Sequence, residues 1–408
     1  MKPVSGIRIS VWLLVVGLLA GSMGSSSAHW NEWPGPLRWP RLYRIASDTS
    51  RVAVARVLGD DRRQDVLVTT SDRHPQSGSR LSDSRLFVYR QRRDGTLRSP
   101  RKYELPMGVG EAREIATGDL NGDRRLDVAV GTAAGVAVLY QRPGGGFRRF
   151  RLIQIRTPDD SHPYASAVFI GDVNSDGAND ILVSGGRLLA FLRKGQTFRQ
   201  VVIDREFQKV IEMADLNRDG EADIVGCSGF SGNSDCWKVS IWIHRQGLDF
   251  RKSSYGFDWK VDSYADMTVA DVTGDGRRDV LLAKNLDPQD NPGHGTLGVM
   301  RQMAGGRFAA LTRRRVCCGS AIEAADMDGD GDQDVVLAHD HNSYDRHNHV
   351  SILFQRSGGR LGKEKISGGP YQVGGVLRIA IGRIGRDRRA DVLRPDYRGF
   401  LLYRHRPR

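Results

Sequence analysis

The chain has only four cysteines, and neither neighbouring pair shows the C-x-x-C spacing of a redox or zinc centre. It has no Ser nucleophile elbow, no phosphate loop and no dinucleotide fingerprint, so a nucleotide cofactor is not expected. Long apolar runs are also missing. The best candidate, Val11 to Ala20, falls short of the roughly 20 residues that span a bilayer. No transmembrane segment is therefore expected once the N-terminus is removed. Outside one recurring turn, no carboxylates form a persuasive catalytic pair, and no residue is assigned as catalytic.

What the N-terminus does have is the order of an export signal. Lys2 and Arg8 precede the short apolar core, and small residues lead to Ser26-Ser27-Ala28. Cleavage is expected after Ala28, giving a signal peptide over 1–28 and a mature domain over 29–408, secreted to an extracellular or periplasmic space. The net charge is +13, and losing Lys2 and Arg8 would leave +11. That excess favours acidic partners, so an acidic polymer is one candidate ligand. In an exported chain, Cys227 and Cys236 would pair across their Gly/Ser-rich loop. The adjacent Cys317 and Cys318 form either a vicinal bridge or separate bonds.

One pattern organises the rest. It reads GDLNGDRRLDVAV at 118–130, GDVNSDGANDILV at 171–183 and ADLNRDGEADIV at 214–225. It returns as ADVTGDGRRDVLL at 270–282 and ADMDGDGDQDVVL at 325–337. Worn copies stand at 55–68 and 382–393, led by Arg56 and Arg383. The first turn positions, 56, 119, 172, 215, 271, 326 and 383, are separated by 63, 53, 43, 56, 55 and 57 residues. Each turn lies between short runs rich in Val, Ile and Leu, with Gly-rich turns further on, which marks strands rather than helices. Four antiparallel strands repeated seven times predict an all-β, seven-bladed propeller. The last blade lacks an outer strand, and the run from Arg41 to Ala46 is expected to complete it and close the ring. An eight-bladed ring or an open solenoid is the alternative.

The turns carry the chemistry of a hard cation. Positions 1, 3, 5 and 9 bear oxygen side chains, and position 7 offers a carbonyl, which suits the 6–8 oxygen ligands of calcium. The five complete sets are Asp119, Asn121, Asp123, Arg125 and Asp127; Asp172, Asn174, Asp176, Ala178 and Asp180; Asp215, Asn217, Asp219, Glu221 and Asp223; Asp271, Thr273, Asp275, Arg277 and Asp279; and Asp326, Asp328, Asp330, Asp332 and Asp334. About five structural calcium ions are expected. The blade 6 set, with four carboxylates at its side-chain positions, is expected to bind most tightly. Arg124 replaces glycine at position 6 of its turn, adding charge and strain. At the worn copies no metal is expected; Arg56 is expected to pair with Asp60 or Asp65, and Arg383 with Asp387 or Asp391.

These D-x-[DNT]-x-D-[GR]-x-x-D turns resemble the FG-GAP/VCBS repeat families, whose known members include the integrin α-subunit propeller. The likeness spans about residues 41 to 408, although the literal Phe-Gly and Gly-Ala-Pro elements are not evident. It implies that each turn joins the first and second strands of a blade and holds structural calcium. The families serve adhesion, lectin-like sugar binding and occasional lyase or dehydratase chemistry, so the likeness specifies fold better than activity.

All these turns should project from one face. The opposite face receives the longer loops, including Cys227–Trp237 and Ala338–His349, where binding residues commonly sit. The candidate ligand contacts are His339, His341, Tyr344 and His347, with Trp237 and Trp259 available to stack on sugar rings. The expectation is a binding or adhesion module for a glycan or protein. The alternative is a polysaccharide-active enzyme, lyase or dehydratase-like, using His and Tyr from those loops.

Overall fold

A computed structural model describes residues 35–406, except 39, 46–48, 59–62, 71–83, 107–108, 157–163, 229–235, 262–265, 285–294, 318, 339–348, 370–377, 386, 388 and 397. The described chain is all β: seven four-stranded antiparallel sheets form a ring of blades, with one extra two-stranded ribbon in blade 6. Among the described residues no helix is long and apolar enough to cross a membrane. The signal expected over 1–28 lies outside the described residues.

Blades 1 to 6 occupy residues 49–104, 112–154, 167–204, 210–261, 266–316 and 321–367 in sequence order. Blade 7 takes its first three strands from the C-terminal segment, Ala380–Gly382, Asp391–Asp396 and Gly399–Tyr403. Its fourth is Arg41–Arg44, antiparallel to Gly399–Tyr403, with Arg41 opposite Leu402 and Arg44 opposite Gly399. Leu37 bridges His405 and donates its amide to Ser367 Oγ of blade 6 at 3.1 Å.

The first strand of each blade is innermost, and the second is buried along its whole length, as in Asp65–Thr70 and Asp127–Thr132. A strand covered on both faces reads as a continuous apolar run rather than an alternation, which explains sequences such as DVLLAK and DVVLA. Each fully buried Val, Leu or Ile there stabilises the fold by about 1.5–3 kcal/mol relative to exposure.

The register is the same around the ring. The closing aspartate of each turn pairs with a small residue on the inner strand: Ala55, Gly118, Gly171, Ala214, Ala270, Ala325 or Gly382. The inner strands crowd at this level. A Cβ added to Gly118 would lie 2.3 Å from Ile170 Cγ2, and one on Gly382 would lie 2.4 Å from Val54 Cγ1.

Two tryptophans expected in loops lie in strands. Trp237 belongs to Cys236–Gln246 and Trp259 to Asp249–Val261, because these long strands of blade 4 pair nearly to their ends. Cys227 and Cys236 form a disulfide with their Cα atoms 5.6 Å apart. Cys317 donates its amide to Glu364 at 2.8 Å, and Cys318 lies outside the described residues.

Candidate functional site

The five complete turns share one conformation, held by three recurring bonds. The amide at position 6 donates to the first aspartate, from Arg124 at 2.6 Å, Gly177 at 2.7 Å, Gly220 at 3.1 Å, Gly276 at 2.6 Å and Gly331 at 3.2 Å. The amide at position 7 donates to the carboxylate at position 5, at 2.8–2.9 Å in all five turns. The amide at position 2 donates to the closing aspartate, at 2.8–3.3 Å. Positions 4 and 6 both sit at positive φ. Glycine fills most of these sites, and the exceptions are Arg124 (φ 64°), Ser175 (56°) and Arg218 (63°).

The closing aspartate has a second role that sequence reading missed. Its other oxygen accepts an amide at or just past the end of the third strand: Gln141 to Asp127, Arg193 to Asp180, His244 to Asp223, Gln302 to Asp279 and Gln355 to Asp334, at 2.7–2.9 Å. The bond recurs in the worn blade 1, from Gln91 to Asp65 at 3.3 Å. The residue is thus a clamp joining turn to third strand in six of the seven copies; in the seventh, Asp391 holds the amide of Ile384. Four of the positions after the third strand are glutamine, and these side chains reach sideways. Gln302 Nε2 donates to Leu216 O at 2.9 Å, Gln91 Nε2 to Arg383 O at 3.2 Å, and Gln141 Nε2 to Val57 O. The repeated glutamine was visible in the sequence, but varying loop lengths hid its fixed position.

The donor sets differ in how well they fit a cation. In blade 6, one carboxylate oxygen from each of Asp326, Asp328 and Asp334 lies within 4.8 Å of the others. Among the described residues no other three acidic, histidine or cysteine ligands gather this closely. Burial, reinforced by the Asp328 and Asp330 carboxylates, pushes Asp334 up to about 6. A bound cation would relieve that repulsion, so the blade 6 donors fit calcium. In blades 2 to 4, position 3 is an asparagine. Asn174 and Asn217 donate to the carboxylates of Asp176 and Asp219 at 3.0 and 2.7 Å. Asp119 instead accepts four backbone amides; although burial opposes it, these bonds hold its carboxyl below the usual range.

The closing aspartates of the worn turns accept backbone amides. Asp65 is occupied by the amides of Val57 and Leu58 at 3.2 and 2.6 Å, and Asp391 accepts from Ile384 at 2.8 Å. Arg56 and Arg383 are exposed. Neither arginine is paired with its closing aspartate among the described residues, and the alternative partner of Arg56, Asp60, lies outside them.

Further up the inner strands, six charged side chains converge across the ring. Arg378 lies 3.2 Å from Glu212, 3.3 Å from Asp266 and 3.6 Å from Glu114, and Arg51 lies 3.6 Å from Glu114. Glu323 belongs to the same group. Burial pushes Glu323 up to about 7 and raises Glu212 well above the carboxylate range, against the pull of Arg378.

Of the expected ligand contacts, His339, His341, Tyr344 and His347 lie outside the described residues, as do the side chains of Trp237 and Trp259. A cavity of about 400 Å³ appears instead at the seam between blades 7 and 1. Tyr43, Phe87 and Tyr89 form its aromatic wall, and Arg44, Arg85 and Lys102 its cationic rim. Tyr43 stacks on Phe400 at 4.9 Å, edge-on to Tyr89. Its hydroxyl is buried without a protein hydrogen-bond partner. Arg85 pairs with Glu104 at 3.1 Å.

Fold and turns together define a β-propeller with an aspartate-rich turn between the first two strands of its blades. The FG-GAP-like repeat profile matches residues 57–130, 119–183 and 215–282, so the chain carries FG-GAP-like repeats, and the seven-bladed propeller fits that family. No curated protein matches it in sequence. Among solved structures it is similar to BBS1N in complex with ARL6DN, at 12% identity and a TM-score of 0.57, covering 92% of this chain and 97% of that one. It is also similar to an Agrocybe aegerita lectin specific for non-reducing terminal N-acetylglucosamine, at 16% identity and a TM-score of 0.52, covering 87% of each chain. At these identities the likeness shows the fold alone.

Proposed function

We propose that this protein is an exported, calcium-stabilised binding module that captures an acidic glycan in the seam cavity. The observation that carries the reading is the cavity's composition. Aromatic side chains favour the apolar face of a sugar ring, and Arg44, together with Arg85 and Lys102 that share the single Glu104 carboxylate, leaves a cationic excess that favours a carboxylate or ester. The lectin neighbour supports a sugar ligand for the fold, and the Cys227–Cys236 disulfide supports an oxidising compartment. Calcium, held by the five turns, would act on the frame rather than on the ligand.

Binding of the mature protein to paired acidic and neutral oligosaccharides tests this reading. Phe87→Ala and Lys102→Ala are expected to weaken binding to the acidic member about tenfold each while the Tm stays near that of the parent. Binding unchanged by both substitutions would remove the seam cavity from the function. Turnover of any glycan on the panel would move the reading to an enzyme.

A further inference from the structure

A second cavity, of about 330 Å³, opens on the face that carries the turns, between blades 1 and 2. Arg56, Arg124, Arg125 and Arg142 line it, brought together from three separate segments: the worn turn of blade 1, the complete turn of blade 2 and the hairpin after its third strand. Arg125 is paired with Asp123 at 2.8 Å. The guanidinium groups of Arg56, Arg124 and Arg142 have no carboxylate partner among the described residues, and all three side chains are exposed. Two of the arginines occupy unexpected places. Arg56 stands where the complete turns put an aspartate. Arg124 holds φ at 64° where the other four complete turns use glycine, a strain costing about 1 kcal/mol or more. The turn's own hydrogen bonds hold that φ, and it turns the Arg124 side chain out of the turn toward solvent.

We propose that this cavity binds a tetrahedral oxyanion, the sulfate or phosphate ester of a larger ligand. Guanidinium forks match such oxygens, and three forks from different directions need more acceptors than the two of a carboxylate. The net charge of +13 draws anions toward the site from a distance. This site is separate from the seam cavity, so either reading can fail without the other.

Titration calorimetry on the intact protein tests it, using a sulfated oligosaccharide, the same sugar desulfated, inorganic sulfate and inorganic phosphate. Arg56→Ser with Arg142→Ser is expected to weaken the sulfated sugar more than tenfold, and desulfation to abolish binding at this site. Arg124→Gly should weaken it while raising the Tm, since glycine relieves the left-handed strain. Phosphate outcompeting sulfate identifies a phosphoester ligand, and the reverse a sulfate ester. Arg148→Ser with Arg149→Ser, equally charged and outside the cavity, should leave binding intact. An equal loss in that control, or no loss in the Arg56/Arg142 variant, would overturn the site in favour of diffuse attraction.

Discussion

Asp391 accepts the amide of Ile384 at 2.8 Å in a turn that begins with Arg383. Asp65 takes the amide of Leu58 at 2.6 Å in the other arginine-led turn. The closing aspartate therefore clamps its turn even where the first cation ligand is missing. Asp391→Ala is expected to cost about 2–3 kcal/mol by leaving a buried amide unpaired, equally in calcium and in chelator. Asp326→Asn should do the reverse, losing most of its effect once calcium is removed. Calorimetric melts under both conditions check the pair, and a calcium-dependent loss in Asp391→Ala would refute the clamp.

Chelation is expected to lower the Tm of the parent protein, because an ion held only by the folded state stabilises it. At a hundredfold excess over its dissociation constant, each ion would add about 2.7 kcal/mol. The blade 6 turn, with Asp326, Asp328 and Asp334 already gathered, should retain its ion longest during stepwise chelation. Metal analysis of the dialysed protein gives the count, and a metal-free protein with an unchanged melt would reject calcium as a structural cofactor.

Gln302 links blade 5 to blade 4 through Leu216 O at 2.9 Å. Gln302→Ala removes that donor and should cost about 1–2 kcal/mol, because the link is buried. Gln302→Glu should cost more, since it turns a donor into a carboxylate facing a carbonyl. Urea midpoints of the two variants provide the comparison; equal midpoints would mean that the link contributes shape rather than hydrogen bonding.

Removing the Cys227–Cys236 disulfide should destabilise the protein by about 2–3 kcal/mol, the chain-entropy value for so short a loop. The paired Cys→Ser variant should melt like the parent in reductant. A parent protein indifferent to reductant would show that the bond carries none of that stability.

The blades were legible in the sequence because their turns repeat a pattern with a mechanism, and the second strands repeat an apolar run. Positions 4 and 6 were less so, since Ser175 and Arg218 adopt a glycine-like φ that their identity does not announce. The dual role of Asp127 was hidden because ligand and clamp need the same carboxylate. The seam cavity was out of reach, as Tyr43 and Phe87 are 44 residues apart in the chain and meet only where the first strand joins the last blade. Arg378 likewise meets Glu212 only through the ring.

The charged cluster inside the ring makes stability depend on pH. Glu323 is pushed up to about 7 chiefly by burial; Arg378 pulls it down, and the Asp266 and Glu114 carboxylates push it further up. Glu212 is raised in the same way, with Glu323 among its neighbours, and Arg51 completes the set beside Glu114. The folded state therefore holds these protons more tightly than the unfolded chain. The Glu323 contribution is fully present below the ordinary glutamate value and is lost as pH rises through about 7; that of Glu212, raised in the same direction, is likewise lost as pH rises. Burial raises Asp266 of the same cluster too, so Glu323→Gln removes one of three such titrations without removing volume. Its melting curve should be flatter than the parent's between about pH 5 and 8, and at pH 8 the variant should be more stable, by on the order of 1 kcal/mol or more. Arg378→Met should have the opposite effect, with a loss that grows toward high pH as the carboxylates are left without their shared counter-ion. Parallel curves for parent and Glu323→Gln would mean that the cluster titrates as it does in the unfolded chain.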